Sequence, residues 1–371
     1  MVSSTTIRQI YNTAYLCSMP ADFSPLVLQI ATPFSTGTGF YLPAHGLVVT
    51  NEHVVRDNPT VLIMNDHTER QLTPVVYLDA FYDLAFLRPE KPLELGGLIL
   101  ADALPAIGDQ VIAMGQIFGR SEQLAIGEVT ELAHTHHEID FIQHKARLKS
   151  VQSGGPLFNE AGELVGVNMY DIDEGHQRAL SLPVSDLVKC LHEFKGGVGK
   201  AATRCFNCKK VVFEPSVGQT HFCPKCGDDI VLPCDVPEYQ PTGIQATVEE
   251  IISTAGYDPR PARRGPNLWE IFQGSARIQI AYHEDSGLVT GDAHLCHVPD
   301  EHPGELFEYL LKQNYELEQL TFSTYGRDII LSLLIYDRYL SIDTALPQFE
   351  RLFKKADYYD NYIVETFGAD W

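Results

Sequence analysis

Between Gly37 and Val55 the chain reads GTGFYLPAHGLVVTNEHVV. A run of β-branched and aromatic residues, a turn signal at His45-Gly46 and a second apolar run predict a two-stranded hairpin. His53 stands just past the second strand, where a strand end can present a polar side chain. Similar runs lie on both sides: LVLQIA before it, and TVLIM, TPVVYL, LAFLR, QVIAMG, AIGEVTEL, IDFIQH and ELVGVNMY after it. Short strands at such spacing, from about Leu26 to Val188, predict an all-β sandwich or barrel. A helix over about Pro183–Phe194 is expected to close the unit.

A lone histidine carries no chemistry. A serine hydroxyl becomes a nucleophile only with a base in hydrogen-bond reach and a carboxylate to orient that base. FYDLAFLRP supplies Asp83 at a strand start, and VQSGGPLFN supplies Ser153. Ser-Gly-Gly-Pro alone is an ordinary turn signal. With His53 and Asp83 upstream, the residues fall in the order His, Asp, Ser that one serine-protease class uses.

The surrounding motifs resemble those of HtrA-like, trypsin-like serine proteases. The similar stretches are Gly37-Thr38-Gly39-Phe40, Val49-Thr50-Asn51-Glu52-His53-Val54, Asp83-Leu84-Ala85-Phe86-Leu87, Ala113 to Gly119, Gly127-Glu128-Val129-Thr130, Gln152 to Leu157 and Gly162 to Asn168. The resemblance covers roughly residues 26 to 190. It implies two packed six-stranded β-barrels with a triad between them. His53 is then the general base, Asp83 its orienter and Ser153 the nucleophile, with the backbone N–H groups of Val151 and Ser153 as oxyanion hole. No catalytic cofactor is implied.

Three residues depart from that pattern or qualify it. Val151 stands where the family has glycine, and a β-branched residue resists positive φ, so the oxyanion loop is expected to rest collapsed or differently shaped. Gln152 replaces the aspartate of zymogen-activated trypsins, which argues against activation by N-terminal cleavage and for loop rearrangement on partner binding. Arg147, six residues before Ser153, aligns with the base of the specificity pocket and would favour an acidic substrate side chain; a solvated surface arginine is the plain alternative. A catalytically inactive interaction or sensor protein on the same fold stays open, with Val151 as its motive. His134, His136, His137 and His144 lack ligand spacing and read as a surface loop rather than a metal site.

The 371 residues suit two or three domains, and 44% hydrophobic with 20% charged residues is a globular balance. The net charge of −22 disfavours nucleic-acid and anionic-membrane partners, which need a basic surface. No apolar run is long enough to span a bilayer, and the N-terminal stretch lacks a signal-peptide core, so a cytoplasmic location is expected. Of the eight cysteines, Cys17, Cys190, Cys234 and Cys296 are scattered and read as buried small residues.

The other four form Cys205-x-x-Cys208 and Cys223-x-x-Cys226. Two such turns fit one structural, tetrahedral Zn2+ in a zinc ribbon, with a hairpin of KKVVFE and QTHF between them. With no open coordination position, the metal has no catalytic role. Lys200, Arg204, Lys209, Lys210 and Lys225 raise nucleic-acid binding by the ribbon as an alternative; a metal-stapled spacer is the simpler reading.

Three regions are thus expected: a protease domain over 1–195, linkers and ribbon over 196–240, and an α+β domain over 241–371 with the order α-β-β-β-α-β-β-α. PARRGPN reads as a loop in the last, and its closing helix runs from about Leu346 to Thr366. Its pattern is similar to the YbjN and type III secretion chaperone-like family over about residues 244 to 368. That resemblance implies a module binding a protein substrate or regulatory partner, and a homodimer through this domain. His283, His294, His297 and His302 in it are not at ligand spacing.

Overall fold

The structure, a computed structural model, describes residues 23–93, 97–116, 123–136, 138–173, 176–195, 197, 199–217, 221–301 and 303–370. Cys17, the N-terminal stretch through residue 22, Ile117 to Gly119, His137 and His302 lie outside them. The chain divides into two compact units, Met1–Glu238 and Tyr239–Trp371.

In the first unit the strands are β1 (Val27–Ala31), β2 (Thr36–Leu42), β3 (Leu47–Thr50), β4 (Thr60–Asn65), β5 (Thr68–Asp79) and β6 (Leu84–Leu87). They pair in the order β5-β4-β1-β2-β3-β6, and a β5–β6 pairing closes the ring. A second barrel closes from β7 (Gln110–Gly115), β8 (Gln123–His136), β9 (Ile139–His144), β10 (Pro156–Asn159), β11 (Leu164–Asp173) and β12 (His176–Pro183), in the order β10-β11-β12-β9-β8-β7. Alternating apolar side chains such as Leu28, Ile30, Phe40, Val49 and Phe86 fill the first barrel, and Val111, Ala113, Leu157 and Val165 sit in the second. The four-residue helix α1 (Glu52–Val55) follows β3, and α2 (Val184–Lys195) packs Leu187, Cys190, Leu191 and Phe194 inward.

The cysteine pairs fall inside this unit. The expected linker and ribbon contain a strand, β13 (Ala202–Arg204), that adds parallel to β5, with Ala202 opposite Tyr77. Its antiparallel partner is β14 (Val211–Phe213), so the strand in KKVVFE pairs with Ala202–Arg204; Gln219 and Thr220 of the expected QTHF partner lie outside the described residues. Val211–Phe213 turns back onto Ala202–Arg204 and then enters the short helix α3 (Glu214–Val217). Burial explains the departure. Arg204 runs beneath the sheet, where Nε donates to Asp79 Oδ2 at 2.7 Å and Nη2 to Glu193 Oε2 at 2.5 Å. Asp79 is fully buried, and a buried carboxylate requires such a partner.

The second unit contains α4 (Gly243–Thr254), α5 (Pro259–Ala262), β15 (Arg263–Gly265), β16 (Leu268–Gln273), β17 (Ala276–His283), β18 (Leu288–His297), α6 (Pro303–Glu316), β19 (Leu320–Tyr325), β20 (Asp328–Tyr336) and α7 (Ile342–Phe367). One antiparallel sheet runs β15-β16-β17-β18-β20-β19. PARRGPN is a helical turn and a strand, not a loop. Its two arginines are tied down, Arg263 by both oxygens of Glu249 and buried Arg264 by Glu270. Helix α7 starts before Leu346, because Ser341 caps it by accepting the Thr344 N–H at 3.3 Å. Gly291 on β18 lets α7 approach: a Cβ there would lie 2.8 Å from Leu352 and 3.0 Å from Phe349.

Candidate active site

His53 is placed by α1, which begins where β3 ends. Asp83 sits in the turn before β6 at φ +49°, a left-handed conformation that aspartate tolerates better than most residues. Asn51 Nδ2 donates to the Asp83 carbonyl at 2.8 Å and holds that turn. The Asp83 carboxylate then meets His53 twice. Oδ1 accepts the His53 backbone N–H at 3.0 Å, and Oδ2 lies 2.7 Å from Nδ1. Partial burial pulls the His53 pKa down, but the hydrogen bond and charge of Asp83, with Glu52 adding, outweigh it and the net shift is upward. With Nδ1 on the carboxylate, Nε2 is the nitrogen left for proton transfer.

Ser153 arrives from the second barrel. Its carbonyl accepts the Thr38 N–H on β2 at 2.9 Å. A Cβ on neighbouring Gly37 would meet Val54 at 2.6 Å and the Ser153 carbonyl at 3.3 Å. Ser153 and Val54, the residue that follows His53, thus both lie against Gly37. Both glycines of the SGGP turn are required by space. Gly154 has φ +83°, and a Cβ there would lie 2.3 Å from the Thr38 carbonyl; a Cβ on Gly155 would lie 2.3 Å from the Met114 carbonyl.

The hydroxyl itself points elsewhere. Ser153 Oγ accepts the backbone N–H of Tyr170 at 3.1 Å, and the residue is 2% exposed. Among the described residues no hydrogen bond joins it to His53. The loop before it is a 3-10 turn, Ser150–Gln152. Val151 has ordinary negative φ, as its branching demands, since the left-handed non-glycine residues do not include it. In that turn the Ser153 N–H donates to the Ser150 carbonyl at 3.1 Å. The Val151 carbonyl accepts from Thr38 Oγ1 at 2.7 Å. Buried Gln152 locks the turn by accepting the Lys149 N–H at 2.9 Å. The Ser153 N–H read as an oxyanion donor is thus engaged within the chain.

Arg147, exposed at the rim, lines a cavity of about 470 Å³ together with Arg178, His144, Leu148 and Tyr170. His144 is no surface-loop residue: it is 4% exposed in the second barrel, Nε2 lies 3.0 Å from Ser181 Oγ, and burial pushes its pKa down to about 4. His134 instead pairs with Glu131 at 3.3 Å, so these two do not converge on one ion. In the second unit, His297 pairs with Asp328 at 2.7 Å.

The four cysteines do converge. All four Sγ atoms lie within 4.8 Å of one another, with Cys205–Cys226 at 3.5 Å and Cys208–Cys223 at 3.7 Å. These spacings far exceed an S–S bond of about 2.05 Å and approach the roughly 3.8 Å edge of a tetrahedron with Zn–S bonds of about 2.3 Å. The two knuckles match in backbone. Cys205 O accepts from Lys209 N and Cys223 O from Gly227 N, both at 2.9 Å, and both donors have positive φ. The donor set fits a four-thiolate zinc site. Of the basic residues around it, Arg204 is buried in ion pairs and Lys209 lies over Phe81 and Phe206, while Lys200, Lys210 and Lys225 are exposed.

Residues 37–167 match the trypsin-like peptidase domain family. This segment is a trypsin-like peptidase domain. Its similarity extends to serine protease HTRA4 of Homo sapiens, 30% identical over 192 residues, covering 47% of this chain and 40% of that protein. Mitochondrial serine protease HTRA2 of Bos taurus is 32% identical over 168 residues, covering 43% and 36%. A probable periplasmic DegP-like serine endoprotease of Rhizobium meliloti is 34% identical over 142 residues, covering 37% and 28%. The chain therefore spans well under half of each of these relatives. A crystal structure of the serine endoprotease from Yersinia pestis overlaps 51% of this chain and 69% of its own at 21% identity, with a TM-score of 0.43. The trypsin-like peptidase segment holds all three candidate triad residues.

Proposed function

We propose that the chain is a serine endopeptidase held in a latent resting state. The observation that carries this reading is the double contact of Asp83 with His53, which orients the imidazole and leaves Nε2 for proton transfer. In the working state Ser153 Oγ leaves the Tyr170 N–H and turns to His53 Nε2. Nε2 takes the hydroxyl proton as Oγ bonds to the peptide carbonyl carbon. The C–N bond then breaks, Nε2 protonates the leaving amine, and water hydrolyses the acyl-enzyme by the same route. For the oxyanion to be stabilised, the Ser153 N–H must exchange the Ser150 carbonyl for the substrate oxygen.

The cavity beside Arg147 supports an acidic residue at the scissile position, since Arg178 and Arg147 share its wall. The four-cysteine cluster holds one structural zinc, consistent with a reducing, cytoplasmic setting. The second unit recruits a protein substrate or regulator and forms a homodimer. A non-catalytic sensor is the second reading, favoured by the engaged Ser153 hydroxyl and N–H. A fluorophosphonate probe separates the two. Labelling that Ser153→Ala and His53→Ala abolish supports the enzyme. No labelling at any protein concentration, with or without candidate partner proteins, sinks it.

A further inference from the structure

A second cavity, of about 350 Å³, opens beside His53 and Asp83 and extends beyond them over side chains that the triad chemistry does not use. One end of it is polar, with His53, Asp83 and Arg56; the rest is apolar, where Phe81, Ile139, Phe141 and Met169 come from the two barrels and Phe206 from between the first cysteine pair. Phe206 is 58% exposed. It is exposed together with the apolar cavity wall it adjoins, so an apolar side chain bound there would cover both.

The Phe206 ring is held in place rather than free. It meets Phe81 edge-on at 6.2 Å. The Lys209 ammonium sits 3.7 Å from the Phe81 centroid and 4.4 Å from that of Phe206, bridging both rings. Lys209 is fixed in turn by the knuckle. Its N–H donates to Cys205 O at 2.9 Å, and its carbonyl accepts from Arg204 Nη1 at 2.7 Å. Arg204 continues to Asp79, whose Oδ1 accepts the Tyr82 N–H at 3.1 Å, one residue before Asp83. One continuous set of contacts thus joins the cysteine knuckle to the turn that carries Asp83.

We propose that Phe206 is a specificity-determining residue: the cysteine knuckle forms one wall of the peptide cleft, and the subsite it closes takes a bulky apolar side chain near the scissile bond. This rests on the endopeptidase reading, and joins the acidic preference at Arg147 into one substrate pattern, an acidic residue with a large apolar neighbour. A wall built by a metal-binding knuckle also makes substrate choice depend on the integrity of that knuckle.

The test uses full-length, zinc-loaded protein and two fluorescent peptides that share an acidic residue and differ only in Phe or Ala at neighbouring positions. Binding is read by anisotropy on the Ser153→Ala protein, independently of turnover, and kcat/KM on the active protein. The expected result is a Phe-over-Ala preference that falls about ten-fold in Phe206→Ala and is partly restored in Phe206→Leu, since such a pocket contact is worth roughly ten- to two-hundred-fold in discrimination. Zinc content and melting temperature establish that each variant keeps its knuckle. An unchanged Phe-over-Ala ratio in Phe206→Ala, or equal loss for both peptides, overturns the proposal. Phe-selective binding with no cleavage would leave the subsite standing and overturn the endopeptidase reading instead.

Discussion

Ser153 Oγ accepts the Tyr170 N–H at 3.1 Å, from the strand β11 that also lines the Arg147 cavity. A peptide pairing with β11 would compete for that N–H and release the hydroxyl. The turn Ser150–Gln152 opposes activation from the other side, because Val151 is comfortable in it. Val151→Gly gives the loop access to positive φ. Fluorophosphonate labelling of Ser153 is expected to speed up about ten-fold in this variant, the effect of shifting the loop equilibrium by about 1.4 kcal/mol. Equal or slower labelling would show that Val151 is not the brake.

His53 must be neutral to act as base, and Asp83 raises its pKa. Activity is therefore expected to fall as pH drops through a value above the ordinary imidazole 6.5. Asp83→Asn removes the charge, moves the His53 titration downward and lowers kcat by about 10⁴-fold, as loss of a triad carboxylate does. NMR titration of His53 in Ser153→Ala and in Ser153→Ala/Asp83→Asn checks the direction.

Buried His144 stays neutral in the fold down to about pH 4, whereas the unfolded chain takes up the proton near 6.5. Between those values the unfolded state binds more protons, so stability falls as pH falls, and the loss is complete below about 4. The contribution is on the order of 3 kcal/mol. Denaturant melts from pH 7 to 4 should show this slope, and His144→Asn should flatten it. An unchanged slope would assign the acid sensitivity to other groups.

Arg204→Met leaves Asp79 buried without its cation. Breaking such a pair costs about 3–5 kcal/mol, to be read as a lower denaturant midpoint for the whole first unit. A loss confined to zinc binding, with the barrel midpoint unmoved, would contradict the coupling of β13 to β5.

Much of the first unit was legible because its strands alternate or run apolar between turn residues, and because the motifs around His53, Asp83 and Ser153 are local. The knuckle spacing was equally local. What escaped were long-range effects. Ala202–Arg204 spans the end of the linker-like KGGVGKAA and the start of the cysteine segment, and its strand depends on buried Asp79, 125 positions before Arg204. His144 looked like one of a histidine group until barrel closure buried it. The direction of the Ser153 hydroxyl is a rotamer choice that depends on Tyr170, and no pattern in VQSGGPLFN encodes it. Phe206 was hidden between two cysteines; an aromatic at an exposed knuckle position was the signal available.

The union of β13 with β5 has a practical consequence for dissecting the molecule. A cut at Lys195, where both barrels are already closed, would strip off Arg204 and strand the Asp79 charge in an apolar interior. The smallest fragment worth expressing runs on to Glu238, so nothing that evolution or a protein chemist does to the knuckle leaves the peptidase indifferent.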